Sequence, residues 1–360
     1  MNVRVRDSHY ELIRIIAMVL IVIHHIFVHC INVQITDPSI CKTAALFNDY
    51  IVHKRLVIID FANSFGKIGN ILFMMISGFF LVEKNIVITK HIRKLLTQMF
   101  FVAIVLVVVS YIHLHFESIT AAQTIHVFND GWWFAGYYIS TIVIAWLGLN
   151  RYIQKVDKEK YQAILIVLFS IISIGWIRST IGKIGLDQIL SGVFLYLLGG
   201  YIHLYDPFQR IKKRYMLFII AFSYAIMSVS YYLYATNSVN QAIEKHETYK
   251  QVIHGYGEYS VLCLLVGVML FEIIRKLNIH NSRIVNYIAS ATFIIYLVHD
   301  NDYMRELFYK IKWVEFLYRR DYFQFVLSLV VVVLCVFMIG VLLNALFEQI
   351  KKIYLSLCRS

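Results

Sequence analysis

Long apolar stretches alternate with short polar connections along most of this chain. Each stretch is close to the roughly 20 residues that an α-helix needs to cross the hydrocarbon core of a bilayer. Transmembrane β-strands would instead be about 10 residues long, with alternating polarity. The pattern therefore predicts about ten transmembrane helices. They lie near residues 11–30, 65–82, 95–115, 132–149, 161–177, 187–205, 216–234, 255–275, 287–303 and 323–347.

The composition agrees with a membrane environment. Hydrophobic residues make up 59% of the 360 residues, charged residues make up only 16%, and the mean hydropathy is +0.67. Water-soluble domains are about half apolar and about a quarter charged. The chain shows no internal repeat with a period of about 20 to 50 residues. We therefore predict an all-α polytopic membrane protein in which residues 1–360 form a single transmembrane domain in the lipid bilayer, with no additional soluble domain.

Basic residues predict the orientation, because cytoplasmic connections of membrane proteins are enriched in Lys and Arg. With the N-terminus inside, the inner connections hold 20 Lys and Arg residues and the outer connections hold 12. Both the N-terminus and the C-terminus are therefore predicted to be cytoplasmic, although the basic outer segment 305–320 fits this orientation least well. The net charge of +12 is dispersed over short segments, so nucleic acid is not an expected partner.

The first apolar stretch carries more ionisable groups than a membrane helix usually tolerates without a use for them. Arg14 and His25 are eleven residues apart, which is about three helical turns, so both side chains share one face. A rise of roughly 16 Å separates them, about half the thickness of the hydrocarbon core. This helix is expected to offer a cation at one depth and a base at another, with Glu11 and His29 flanking them.

Five sequence motifs extend this picture along the chain. In order, they are RIIAMVLIVIHH in the first apolar stretch, FMMISGFFL at 73–81, DGWWFAGYYI at 130–139, YLLGGYI at 196–202 and ATFIIYLVHDN at 291–301. Together with the spacing of Arg14 and His25, they resemble the acyltransferase 3 family of integral-membrane O-acyltransferases. The resemblance covers residues 11 to about 305 and is closest to members that acetylate bacterial surface polysaccharides.

The resemblance implies roles for specific positions. Arg14 and His25 match the family's arginine and histidine in the first helix, of which the histidine is the proposed catalytic residue. His299 matches the histidine near the end of a late helix. The remaining matches are the SGF segment, Ser77, Gly78 and Phe79, and a WF-x3-Y pattern, Trp133, Phe134 and Tyr138.

A basic pattern after the second span matches the family less closely. Many members carry Arg-x2-Arg followed by proline, whereas this chain reads KHIRKLLTQMF. Arg93 and Lys94 preserve the positive charge, and the proline is absent. Because acyl-coenzyme A carries several phosphates, we assign Arg14, Arg93 and Lys94 to its binding.

These residues suit an acyl transfer. A positioned imidazole can take the proton of an alcohol as its oxygen attacks the acyl carbon, which makes His25 the candidate base. His299 or Asp300 is expected to orient His25, and Trp133, Tyr138 and Asp300 are assigned to the acceptor, since an aromatic face suits a sugar ring. Both a direct transfer and a covalent acyl-enzyme are compatible with these residues.

The sequence thus predicts an O-acetyltransferase of the bacterial cytoplasmic (inner) membrane, with multiple spans. It would move an acetyl or other acyl group from acyl-CoA to a sugar hydroxyl of a cell-surface polysaccharide or its lipid-linked precursor. Acetyl-CoA is expected as a co-substrate, and no tightly bound cofactor is expected. No metal site is predicted, because the five cysteines lack paired ligand spacing.

Simpler interpretations compete with each assignment. His24, His25, His29 and His299 suit an interfacial position, Arg14 suits a snorkelling one, and Arg93 and Lys94 suit a positive-inside flank. Ser77 and Gly78 suit close helix packing, and Trp132 and Trp133 suit an aromatic belt. For the whole protein, a secondary transporter would use Arg and His as a substrate and proton pathway, but the internal duplication common in transporters is missing. A polysaccharide polymerase or flippase would be expected to have a large outer loop or more spans.

Overall fold

The computed structural model describes residues 7–36, 62–114, 132–244, 257, 259–319 and 321–358, and the regular elements in this part of the chain are all helical. We number the principal helices in chain order. They are α1 (Ser8–Ile26), α2 (Phe65–Leu81), α3 (Ile88–Leu114), α4 (Trp133–Ile144), α5 (Lys158–Ser173), α6 (Gly175–Gly182), α7 (Leu186–Tyr205), α8 (Lys213–Glu244), α9 (Val261–Arg275), α10 (Arg283–Ser290), α11 (Thr292–His299), α12 (Asp302–Tyr309), α13 (Trp313–Tyr318) and α14 (Tyr322–Leu357).

Two helices continue beyond these limits through π-helical turns. After α1, a π-helical turn at Phe27–Ile31 leads into the short helix Asn32–Thr36. The three segments form one continuous apolar helix. After α4, a turn at Ala145–Leu149 leads into Asn150–Ile153. Such turns insert one extra residue into the hydrogen-bond ladder and often mark functional positions. The turn after α1 lies directly beyond His25, which matters for the site.

Five helices in the described residues are long and apolar enough to cross a membrane. They are Ser8–Gln34, Ile88–Val109, Leu186–Tyr205, Lys213–Tyr234 and Tyr322–Leu357. Together α5 and α6 also satisfy length and hydropathy, but they are bent by 78° at the residue between them. Large apolar side chains such as Leu334 and Phe323 are exposed on the outer surface, as expected for helices in lipid. The chain is therefore a multi-pass helical membrane protein.

The predicted spans agree best with the structure where the apolar stretch is bounded by polar or small residues. The predicted spans 65–82 and 187–205 correspond to α2 and α7 within one residue at each end. By contrast, α3 begins at Ile88, seven residues before the predicted span, because basic residues continue a helix into the headgroup region without breaking it. The number of ten spans and the cytoplasmic placement of both termini stay predictions, and several charged connections behind them lie outside the described residues.

The predicted ninth helix, 287–303, is divided into α10 and α11. The break falls at Ala291, and the hydroxyls flanking it donate to backbone carbonyls three residues earlier, Ser290 to Tyr287 and Thr292 to Ala289. Such side-chain bonds compete with the helical ladder. The break lets α11 run through the protein interior, where Ile294 to His299 are all buried.

The centre of the bundle is α2, which packs against α1, α7 and α9. Glycines make the crossing of α2 and α7 close from both sides. A Cβ at Gly78 would collide with the backbone carbonyl of Tyr196, and a Cβ at Gly199 would collide with the carbonyl of Met75. Small residues allow this approach in membrane proteins, where close packing replaces the hydrophobic effect between helices.

We predict that Gly78→Ala destabilises the protein by about 1–3 kcal/mol, because the added methyl group must separate two packed backbones. The measurement is thermal unfolding of the detergent-solubilised protein. Gly136→Ala in α4 is the matched control, because nothing lies within 4 Å of a Cβ there and alanine favours a helix over glycine. Equal losses of stability in the two variants would contradict the close crossing.

Candidate active site

Two histidines from distant parts of the sequence meet in the interior. His25 lies in the last turn of α1, and His299 is the last residue of α11. Nδ1 of His25 lies 3.0 Å from Nε2 of His299, with the ring centroids 5.0 Å apart. His299 is 1% exposed. The structure therefore places at His25 one of the two partners proposed from the sequence.

The hydrogen bonds of this pair fix the tautomers. Nδ1 of His299 lies 2.8 Å from the carbonyl oxygen of Ile295, and a carbonyl oxygen can only accept, so Nδ1 of His299 carries the proton. In the neutral ring, Nε2 of His299 then accepts, and the donor is Nδ1–H of His25. Nε2 of His25 keeps its lone pair. That nitrogen is the one available to take a proton from a substrate.

A buried ion pair lies beside the histidines. Asp300 is 0% exposed, and its Oδ1 accepts from Nη2 of Arg305 at 2.6 Å. The same oxygen lies 3.4 Å from Nδ1 of His25. A carboxylate on the Nδ1 side stabilises an imidazolium that forms when Nε2 is protonated. The sequence offers Asp300 both for orienting His25 and for binding the acceptor, and in the structure it lies beside His25 and Arg305.

A small cavity lies next to His25. The volume of this cavity is about 20 Å³, which is enough for one water molecule. It is lined by Ile21, His24, His25, Gly66, Lys67, Asn70, Trp133, Phe134 and Tyr296. Lys67 and Asn70 are one helical turn apart on α2, and Nζ of Lys67 lies 5.3 Å from the ring centroid of Trp133. Two polar donors and a base therefore face one space inside the bundle.

A larger cavity of about 260 Å³ lies at the Arg14 end of α1. Its lining includes Arg14, Ser77, His91, Lys94 and Tyr138. Arg14 donates from Nη1 to Oε1 of Glu11 at 2.7 Å, so Glu11, interpreted from the sequence as a flanking residue, holds this guanidinium. Arg93, assigned to the same role as Lys94, is exposed and does not line the cavity.

The SGF segment is divided between two environments. Ser77 lines the larger cavity and donates to the carbonyl of Phe73 at 2.9 Å, while Gly78 forms the close crossing with α7. The ring centroid of Phe79 lies 5.0 Å from that of Tyr10 and 4.6 Å from that of His203. Gly78 and Phe79 line neither the small cavity at His25 nor the larger cavity at Arg14. These two positions therefore support the site through packing.

Comparison with protein families identifies the family of the chain. The model of the acyltransferase 3 family, described as an acyltransferase domain, matches residues 8–347. The chain belongs to the acyltransferase 3 family. No curated protein and no solved structure matches it. The family resemblance seen in the sequence motifs is thereby confirmed, and the match covers α1, both cavities and the whole of α11.

In this acyltransferase, several residues that face the site carried no assignment from the sequence. They are Lys67, Asn70, His91, Tyr296 and Arg305. Lys67 had a usable signal, because a lysine inside an apolar stretch is costly unless it lines a polar space. Arg305 has none, because it falls in a predicted outer loop, and it meets Asp300, five residues earlier, only where the chain turns from α11 into α12.

Three potential metal ligands also meet in this acyltransferase. One ligand atom each of His25, His29 and Asp300 lies within 4.8 Å of the other two. Oδ1 of Asp300 already accepts from Arg305 at 2.6 Å, and Nδ1 of His25 is hydrogen-bonded to His299. The arrangement therefore suits a hydrogen-bonded base better than a metal centre.

We predict that His25 is held in the Nδ1–H tautomer. In ¹⁵N NMR spectra of histidine-labelled protein, the His25 signals, assigned by their absence in His25→Ala, should show a protonated Nδ1 and an unprotonated Nε2. His299→Leu removes the acceptor, so both tautomers should then appear. A wild-type protein with Nε2 of His25 protonated would contradict the hydrogen-bond assignment.

Proposed function

We propose that this membrane acyltransferase transfers an acetyl group from acetyl-CoA to a sugar hydroxyl. The acceptor is a bacterial surface polysaccharide or its lipid-linked precursor, and the enzyme resides in the inner membrane. The observation that carries the proposal is the buried arrangement of His25, His299 and Asp300, which leaves one imidazole nitrogen as a base beside a cavity. The family match supports acyl transfer over a transport function.

The proposed reaction uses His25 as a general base. Nε2 of His25 takes the proton of the sugar hydroxyl as its oxygen attacks the thioester carbon and forms the new C–O bond. When the C–S bond breaks, the imidazolium returns the proton to the departing sulfur. Asp300 stabilises the imidazolium, and His299 fixes the ring orientation. In a direct transfer of this kind, the products are the acetyl ester and free coenzyme A.

Lys67 and Asn70 suit the second requirement of acyl transfer. The carbonyl oxygen gains negative charge in the tetrahedral intermediate, and fixed N–H donors stabilise it. Both side chains line the small cavity together with His25. We assign them to that oxygen, while the Trp133 ring, which is 36% exposed, supplies an apolar face for the sugar outside the small cavity.

The larger cavity suits the donor. Arg14, His91 and Lys94 line it, and guanidinium and ammonium groups bind phosphates through charge-assisted hydrogen bonds. Aromatic side chains from Phe73, Tyr138 and Phe293 complete its wall and suit the less polar part of the donor. The donor would thus approach from the Arg14 end and present its acyl group toward His25.

We predict that His25→Ala abolishes acetylation while the protein still inserts in the membrane, because no other group replaces the base. The expected loss in rate is about 10²–10⁴-fold. The measurement is the acetyl content of the surface glycan by NMR in cells that carry only the variant. His280→Ala, at an exposed histidine outside the site, is the matched control. Normal acetylation in the His25→Ala cells would exclude the proposed base.

We predict that Arg14→Gln weakens use of the donor, because one charge-assisted contact to phosphate is lost. The KM for acetyl-CoA should rise about 10- to 100-fold while kcat changes little. Donor titration in isolated membranes measures both constants. Arg283→Gln, at an exposed arginine on α10, controls for loss of surface charge. An unchanged KM in Arg14→Gln would assign Arg14 to the bilayer headgroups.

A further inference from the structure

Two aromatic residues form the wall between the cavities. Phe134 and Tyr296 each line both the small cavity at His25 and the larger cavity at Arg14. We propose that this pair is an aromatic gate that limits the size of the acyl group reaching His25. The proposal rests on the proposed function, because it assumes that the donor occupies the larger cavity and that His25 is the base.

The gate is a tightly held contact between two helices. The rings of Phe134 and Tyr296 meet edge to face with centroids 5.6 Å apart. The backbone N–H of Phe134 donates to the Tyr296 hydroxyl at 3.2 Å. Phe134 lies in the first turn of α4, and Tyr296 lies one turn before His299 on α11. The pair therefore ties the start of α4 to the helix that orients His25.

The volumes of the two cavities require a passage through this wall. The space at His25 holds about one water molecule, so it is too small for an acyl group on a thioester. The larger space, about 260 Å³, has room for one. The acyl carbon reaches an acceptor hydroxyl held at Nε2 of His25 only if the Phe134 ring turns aside. A ring that opens a narrow passage admits a short acyl group and excludes a long one.

The surrounding contacts explain why Phe134 is the moving part. Tyr296 is 1% exposed and its hydroxyl is bonded to the α4 backbone, so its ring is fixed. The Phe134 ring has no polar atom and lies against other aromatic rings. Its centroid is 5.9 Å from that of Phe73 and 6.5 Å from that of Tyr138. Aromatic contacts of this kind are weak one by one and permit rotation. The size of the side chain at position 134 therefore sets the size limit.

The test uses the full-length enzyme in detergent or native membranes, with acetyl-, butyryl- and hexanoyl-CoA as donors. In Phe134→Ala, the rate with hexanoyl-CoA relative to acetyl-CoA should rise at least about tenfold, the size of effect seen when a pocket gains a methylene or two. Phe194→Ala is the matched control, since Phe194 is buried on α7, lines neither of the two cavities and loses the same atoms. Its donor ratio should equal that of the wild type.

Two further variants make the test independent of folding. Phe134→Leu preserves apolar bulk without a ring and should extend the range of accepted acyl donors as far as butyryl-CoA. This variant serves the test even if Phe134→Ala does not accumulate. Phe134→Tyr retains a ring at position 134 and should retain the wild-type donor ratio. An unchanged donor ratio in Phe134→Ala and Phe134→Leu, or an equal rise in Phe194→Ala or Phe134→Tyr, would overturn the gate.

Failure of the gate differs from failure of the proposed function. A wild-type enzyme that transfers no acyl group from any CoA donor would contradict the function itself. An active wild-type enzyme whose Phe134 variants retain the same preference for acetyl-CoA would contradict only the gate.

Discussion

The contact between His25 and His299 is the interaction on which the rest of the site depends. It joins the first helix to one that begins more than 260 residues later, and it decides which nitrogen of His25 is free to act as a base. A buried imidazole must satisfy its hydrogen-bonding groups inside the protein. Because the carbonyl of Ile295 accepts from Nδ1–H of His299, Nε2 of His299 must accept from Nδ1–H of His25. Nε2 of His25 then keeps its lone pair.

The fold supplies the geometry that this contact needs. Close crossing of α2 and α7 at two glycines draws the bundle together around α2, which carries Lys67 and Asn70 at the small cavity. The break at Ala291 separates α11 from α10 and lets it run buried toward α1. Arg305 then neutralises Asp300, so the carboxylate is tolerated in the interior. The base, its orienting partner and the charge beside it therefore belong to one packed unit.

Local sequence rules predict much of this arrangement. Helical periodicity alone predicts that Arg14 and His25 share one face of α1. The length of the apolar stretches predicts the bounds of α2 and α7. Neither rule covers a contact across a helix end, so they predict neither the Asp300–Arg305 pair, five residues apart at the turn from α11 to α12, nor the division of the ninth predicted helix. The helix break involves hydroxyl bonds at Ser290 and Thr292, which read as ordinary polar positions in a sequence. The family resemblance, by contrast, lies in five motifs that the sequence alone is enough to recognise.

In the proposed function, the separation of Arg14 and His25 along α1 makes the enzyme a passage from a donor site to a reaction site. A cryo-EM structure with a non-hydrolysable acetyl-CoA analogue tests it most directly. We expect the phosphates at Arg14 and Lys94. The carbonyl carbon should point toward Nε2 of His25 and, after the gate opens, lie about 3–3.5 Å from an acceptor oxygen bound there. An analogue bound away from the larger cavity, or with its acyl group directed away from His25, would contradict it.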